Sequence, residues 1–197
     1  MAKSLKQLRE EARLCQACPL WANATQTVFG AGDPHARVML VGEQPGDEED
    51  KKGLPFVGPA GRLLDRALEA AGVDRNDLYI TNAVKHFKWQ LRGKRRLHKT
   101  PAQREVDACH QWLEREIAAV KPDVIVALGA TAARSVISKD FKVSTMRGQF
   151  VESPLAPYVF AALHPSALLR LKDEADKEAA FEQLVGDLKL IKKGLSQ

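Results

Sequence analysis

The chain has 197 residues, 45% hydrophobic and 28% charged, enough for one well-buried domain and short for two, so a single domain over 1–197 is expected. Its 30 basic and 25 acidic side chains leave a net charge of +5, which favours an anionic partner without naming one. The opening MAKSLKQLREEARLC lacks an apolar stretch of signal-peptide length and no later run approaches a membrane span, so a cytoplasmic protein without a membrane partner is expected, while three cysteines argue against a disulfide framework.

Residues 4–14 have helical spacing and charge and lead into the turn Cys15-Gln-Ala-Cys18-Pro. RVMLVGE, residues 37–43, is a compact apolar strand, and the helical pattern of residues 58–71 stops at Gly72, a residue suited to a helix C-terminus. The alternation recurs. Residues 77–84 read as a strand, and residues 82–100, NAVKHFKWQLRGKRRLHKT, as a strand end running into a loop with seven Lys or Arg, two His and no acid. Residues 101–120 read as a long helix opened by proline, 123–129 as an apolar strand, 131–137 as a short helix, 157–163 as a strand and 173–193 as a C-terminal amphipathic helix.

Strands alternating with helices imply parallel crossovers and a sheet covered on both faces. In such sheets ligands bind beyond the carboxyl ends of the strands. Glu43-Gln44, Asn82, Gly129 and His164 stand at those ends, so an acid, two amides and an imidazole are expected to share one rim. The competing reading is that strand ends ordinarily carry polar residues.

The loop GEQPGDEED after the first strand lacks the lysine of a phosphate loop, and its five acids would repel phosphate. Acids there suit general-base work or stabilisation of a positive transition state, with Glu48, Glu49 and Asp50 expected as a solvated charge run. In LPFVGPAG, glycines beside Phe56 leave room for the ring to lie against a planar ligand, although a lone phenylalanine is more often core. Cys15 and Cys18 form a candidate ligand pair with Cys109 as a third, and His86 is the best fourth donor; zinc and an iron-sulfur cluster stay equally open on spacing, as do three unrelated buried cysteines. HPSALLR, residues 164–170, could hold a developing anion through His164, with Arg170 toward a phosphate.

Together GEQPGDEED, LPFVGPAG, TNAVKH, the CxxC, Cys109 and HPSALL resemble the uracil-DNA glycosylase superfamily, in its iron-sulfur branch, over nearly the whole chain. His86 in place of a cysteine, the insertion ending in KRRLH, and Gln44 are similar to the UdgX subgroup, whose members become covalently attached to uracil-containing DNA through the histidine of that loop. The resemblance implies a three-layer α/β/α domain with a central, mostly parallel four-stranded sheet. It implies that Phe56 stacks on a flipped-out uracil beside Gly42, that Asn82 reads its amide edge and that His164 meets the oxygen gaining charge. Glu43, Gln44 and Asp47 would line the sugar side, and Cys15, Cys18, His86 and Cys109 would hold a [4Fe-4S] cluster, with zinc as the alternative.

Elementary chemistry fits those roles. Uracil leaves more easily once its negative charge is held, and an acid near the cation-like C1′ lowers the same barrier. An ordinary imidazole, pKa about 6.5, is mostly neutral and nucleophilic at pH 7, so His98 in the place of water would attack C1′ and stay bound. Lys85, Arg92, Lys94, Arg95, Arg96 and Lys99, with Ser166 and Arg170, would hold the DNA. A monomer acting on single-stranded DNA is expected, because a base leaves a single strand at least cost. The alternatives are a turnover glycosylase in which His98 only contacts DNA, and a metal-stabilised nucleic-acid-binding module.

Overall fold

The computed structural model describes residues 3–197, so the first two residues of the expected domain lie outside the described ones. In chain order the elements are α1 (Leu5–Ala12), β1 (Ala31–Gly32), β2 (Val38–Gly42), α2 (Asp47–Lys52), α3 (Pro59–Ala71), β3 (Leu78–Asn82), β4 (Trp89–Arg92), β5 (Arg95–His98), α4 (Gln103–Val120), β6 (Val124–Leu128), α5 (Ala130–Val136), α6 (Val143–Met146), β7 (Tyr158–Ala162), α7 (Pro165–Leu169), α8 (Glu174–Leu188) and α9 (Leu190–Leu195).

The main sheet runs β1-β3-β2-β6-β7, with β3, β2, β6 and β7 mutually parallel. β2, β6 and β7 are almost wholly apolar because both faces of the sheet are covered, while β3 ends in the buried polar residues Thr81 and Asn82. Along β2, Val38 and Leu40 pack into the core on the α3 and α8 side, while Met39 and Val41 enter the core with Leu113 and Ile117 of α4. That alternation makes three layers from one five-residue strand. The parallel order brings the ends of β2, β3, β6 and β7 to a common rim.

Four departures from expectation have identifiable causes. The sheet has five strands rather than four, because Ala31 and Gly32 pair antiparallel with Ile80 and Tyr79 in an edge too short to show a pattern. The basic segment is no plain loop: β4 and β5 form a separate hairpin, Trp89 opposite His98 and Arg92 opposite Arg95, turned at Gly93 with φ 61°. A left-handed first turn position favours glycine there. The C-terminal helix is two helices, α8 and α9, meeting at Lys189. Glu49 and Asp50 are buried in α2 rather than solvated, since distant donors satisfy them: the Gly58 amide reaches Glu49, and the Thr25 amide and hydroxyl reach Asp50.

Candidate active site

A cavity of about 690 Å³ opens at the strand-end rim, and Glu43, Gln44, Asp47, Phe56, Asn82, His98, His164, Ser166 and Arg170 all contribute to its wall. Phe56 is pressed into it by its own backbone, with φ 52°, a left-handed conformation uncommon outside glycine. Gly42 permits this arrangement, since a Cβ there would lie 2.4 Å from Asn82 Oδ1 and 2.5 Å from Phe56 Cζ. Gly61 does the same from α3, where a Cβ would run into the Phe56 carbonyl.

Asn82 Oδ1 is buried without a hydrogen-bond partner. An unmade bond to a buried acceptor is costly, so this atom is poised for a donor from a ligand. Across the cavity, His164 stacks obliquely near Phe56, ring centroids 5.8 Å apart. Its Nδ1 accepts from the Ser166 amide at 3.0 Å, which puts the proton of the neutral ring on Nε2. Burial lowers the His164 pKa to about 4 against an opposing pull from Glu43, so the ring is a neutral donor at pH 7.

His98 Nε2 lies 3.0 Å from Glu43 Oε1, and Thr131 donates its hydroxyl to Glu43 Oε2. Burial would raise the Glu43 pKa, but the hydrogen bonds from His98 and Thr131 outweigh it and hold the carboxyl below its usual range. Glu43 is therefore an anion facing His98, and a carboxylate can only accept, so His98 Nε2 is the donor and carries a proton. Thr131 was not singled out from the sequence; its place two residues beyond the strand-end Gly129 is the signal that could have found it.

The hairpin reaches this position through side chains. Gln44 donates Nε2 to the carbonyls of Lys88 (3.3 Å) and Lys99 (3.0 Å) and accepts from the Lys88 amide (2.9 Å), binding both ends of the hairpin at its base. Arg96 donates to Asp47 and Asp50 and lies over the rings of Phe87 and Trp89. Asp47 is accordingly an anchor for Arg96 and Lys51 as well as part of the wall.

Two of the expected DNA contacts need correction. Lys85 is 1% exposed and paired with Glu116, which is fully buried, and it also donates to Thr81 Oγ1 and the Asn82 carbonyl, so its charge is spent inside the protein. Arg96 is bound to two carboxylates rather than turned to solvent. Arg92, Lys94, Arg95, Lys99 and Arg170 are exposed, and Ser166 is half-buried.

Cys109 is buried, and Cys15 and Cys18 pack against the same apolar cluster with Leu8, Leu20 and Trp112. The Lys85 amide donates to Cys109 Sγ and Trp112 Nε1 to Cys15 Sγ, both at 3.2 Å. Burial pushes the Cys109 thiol up to about 11, a cost that binding as a thiolate to a cation would offset. His86 Nε2 meets Thr27 Oγ1 at 2.9 Å, and that hydroxyl is also 3.0 Å from the Ala12 carbonyl, so His86 donates from Nε2 and keeps its lone pair on Nδ1. Burial lowers the His86 pKa in opposition to Asp50, and a neutral ring suits a ligand. By their chemistry, sulfur atoms that receive N–H bonds and an imidazole with a free lone pair are donors of the kind a sulfur-ligated cluster takes. Among the described residues no three His, Cys, Asp or Glu side chains are gathered closely enough to hold a single metal ion.

Comparison with known proteins bears on the family. The family model for the uracil DNA glycosylase superfamily matches residues 29–189. The type-4 uracil-DNA glycosylase of Thermotoga maritima is 38% identical over 93% of this chain and 93% of its own. That of Sulfurisphaera tokodaii is 36% identical over 84% of this chain and 76% of its own, and the type-5 uracil-DNA glycosylase of Pyrobaculum aerophilum 32% identical over 75% and 69%. With its parallel sheet, its strand-end rim and these matches along most of its length, the chain belongs to the uracil DNA glycosylase superfamily.

Proposed function

We propose that the protein excises uracil from DNA and then remains attached to the sugar through His98, as the resemblance to the UdgX subgroup implies. The observation that supports this reading most is His98 seated on Glu43 in the wall of the cavity that Phe56, Asn82 and His164 also line. A flipped uracil would stack on Phe56 and give its N3–H to the orphaned Asn82 Oδ1. Cytosine has no hydrogen at N3 and would leave that acceptor unpaired.

As the C1′–N1 bond breaks, its electron pair passes to uracil and the negative charge collects on the base oxygens. His164, neutral and donating from Nε2, stabilises that charge without giving up a proton, while anionic Glu43 stabilises the cation-like C1′. The imidazole lone pair of His98 then bonds to C1′. The ring proton on the other nitrogen passes to Glu43, so the alkylated imidazole ends neutral.

Exposed Arg92, Lys94, Arg95, Lys99 and Arg170 would hold phosphates by charge. Cys15, Cys18, Cys109 and His86 would hold a [4Fe-4S] cluster, with zinc as the competing occupant; when bound, the cluster supplies a brace between α1, the segment after β3 and α4. A monomer acting on single-stranded DNA in the cytoplasm completes the proposal. The relatives carry the glycosylase part of the reading by their names alone.

Denaturing electrophoresis after mixing with a uracil-containing single strand tests the function. A heat- and detergent-stable protein–DNA adduct is expected, and free protein with abasic DNA would instead indicate a turnover enzyme. Intact uracil-DNA bound without base preference would indicate a nucleic-acid-binding module. Iron and acid-labile sulfide in brown, anaerobically purified protein are expected; a colourless protein with stoichiometric zinc would overturn the cluster.

A further inference from the structure

Glu43 has two carboxylate oxygens, and both are engaged. Oε1 faces His98 Nε2 and Oε2 accepts the Thr131 hydroxyl. Thr131 stands in the first turn of α5, directly after the Gly129 turn at φ 86°, where a Cβ would lie 2.9 Å from His164 Cβ. The turn that makes room for His164 thus also delivers a hydroxyl to the opposite side of Glu43. A threonine hydroxyl has one proton to donate, and the partly buried carboxylate it donates to is the group that also orients the imidazole.

We propose that Thr131 is a positioning residue that sets the partition between covalent trapping and hydrolysis; this rests on the reading in which His98 bonds to C1′. With Oε2 held by Thr131, the carboxylate is fixed with Oε1 toward His98, and a water beside C1′ would have to share oxygens that already hold a donor each. Without the hydroxyl, Oε2 lacks a donor and recruits water, and the carboxylate is free to turn. That water competes with the imidazole: its oxygen bonds to C1′, its proton passes to Glu43, and the products are free protein and abasic DNA bearing a 1′-hydroxyl. No added oxidant or cofactor is needed, because water replaces the imidazole as nucleophile one for one.

The experiment compares wild type with Thr131→Val, Thr131→Ala and Thr131→Ser, each in excess over a uracil-containing single-stranded oligonucleotide. Denaturing electrophoresis reports the adduct, and alkaline cleavage of the remaining DNA reports free abasic product. Thr131→Val is close to isosteric at a half-buried position, and Thr131→Ala serves if the valine variant does not fold. The expected result is a ratio of abasic product to adduct about tenfold above wild type in the valine and alanine variants, the scale of one hydrogen bond to a charged group, with the wild-type ratio kept in Thr131→Ser. A merely structural role would slow both products together. An unchanged ratio in both hydroxyl-free variants, with adduct formed by wild type, overturns the assignment of Thr131 alone. Absence of adduct from wild type overturns the covalent reading itself, and the role of Thr131 with it.

Discussion

Arg96 and His98 lie on one face of β5, two residues apart, and while His98 meets Glu43, Arg96 is fixed between the carboxylates of Asp47 at 2.6 Å and Asp50 at 2.7 Å. A strand presents alternate residues to the same side, so fixing one orients the other. Replacing Arg96 with Ala should release the hairpin and leave the fully buried Asp50 short of its cationic partner, at a cost of about 3 kcal/mol. Thermal unfolding should show the loss, and adduct formation should slow more than uracil release. Equal slowing of both would contradict the anchoring role.

Removing the imidazole should convert trapping into turnover. In His98→Gly or His98→Ser, Glu43 Oε1 loses its partner and water gains the space beside C1′. The expected outcome is multiple-turnover release of uracil with no stable adduct, read by the same electrophoretic assay. A variant that folds yet neither crosslinks nor excises would assign His98 a different part.

Gln44→Ala would leave the amide of Lys88 and the carbonyls of Lys88 and Lys99 without their side-chain partner. Gln44 contributes no proton to the chemistry proposed above, so base excision should persist. The rate of crosslinking under single-turnover conditions should drop on the order of a hundredfold, as expected for loss of three positional bonds worth roughly 1 kcal/mol each. Loss of excision to the same degree would place Gln44 in the bond-breaking step.

The ion pair of Lys85 with Glu116, one 1% and the other 0% exposed, yields a stability prediction. Lys85→Met leaves Glu116 charged in the interior, where Tyr79, Thr81 and the Gly30 amide still donate to it but no cation remains. Breaking such a pair costs about 3–5 kcal/mol, roughly 10 °C in Tm for a domain this size. The double variant Lys85→Met/Glu116→Leu should recover a large part of that loss in a calorimetric double-mutant cycle. Strictly additive losses would mean that the two residues act independently.

The depressed pKa of His164 makes stability depend on pH. Its folded value, about 4, lies below the ordinary 6.5, so between these values the unfolded chain binds a proton that the folded chain refuses. More protons on the unfolded side means that stability falls as pH drops through this window, by at most about 3 kcal/mol from this one group. Denaturant midpoints measured from pH 7 to pH 4 should decline less steeply in His164→Asn than in wild type.

β2, β6 and β7 were legible because each is buried on both faces and so reads as an apolar run, and β3 because Leu78, Tyr79 and Ile80 form a shorter one before Thr81 and Asn82. The rim followed from topology, since parallel strands end together and Glu43, Asn82 and His164 stand just there. The hairpin was not legible. Its apolar residues, Trp89, Leu91 and Leu97, are divided between both faces among basic ones, and what shapes the hairpin is Gln44, Asp47 and Asp50, about fifty residues away in sequence. Lys85 misled for a related reason: it stands in a basic run, and only the packing of Glu116 from α4 reveals that it points inward. Asp50 looked solvated because its partners, Thr25 and Arg96, come from two distant segments. Long-range pairing of charged groups leaves no local period, which is why it escapes sequence reading where apolar runs do not.

β4 and β5 pair with each other and form no ladder with the main sheet. Tension on a strand attached at His98 would therefore enter the protein through a two-stranded ribbon moored by side chains: the Gln44 amide, the Arg96 guanidinium and the Trp89 indole, whose Nε1 donates to the Asn23 carbonyl. Those side-chain bonds would carry the load in series with the linkage. A motor or polymerase pulling on the joined DNA would peel the ribbon away first, while the sheet and its cavity kept their shape.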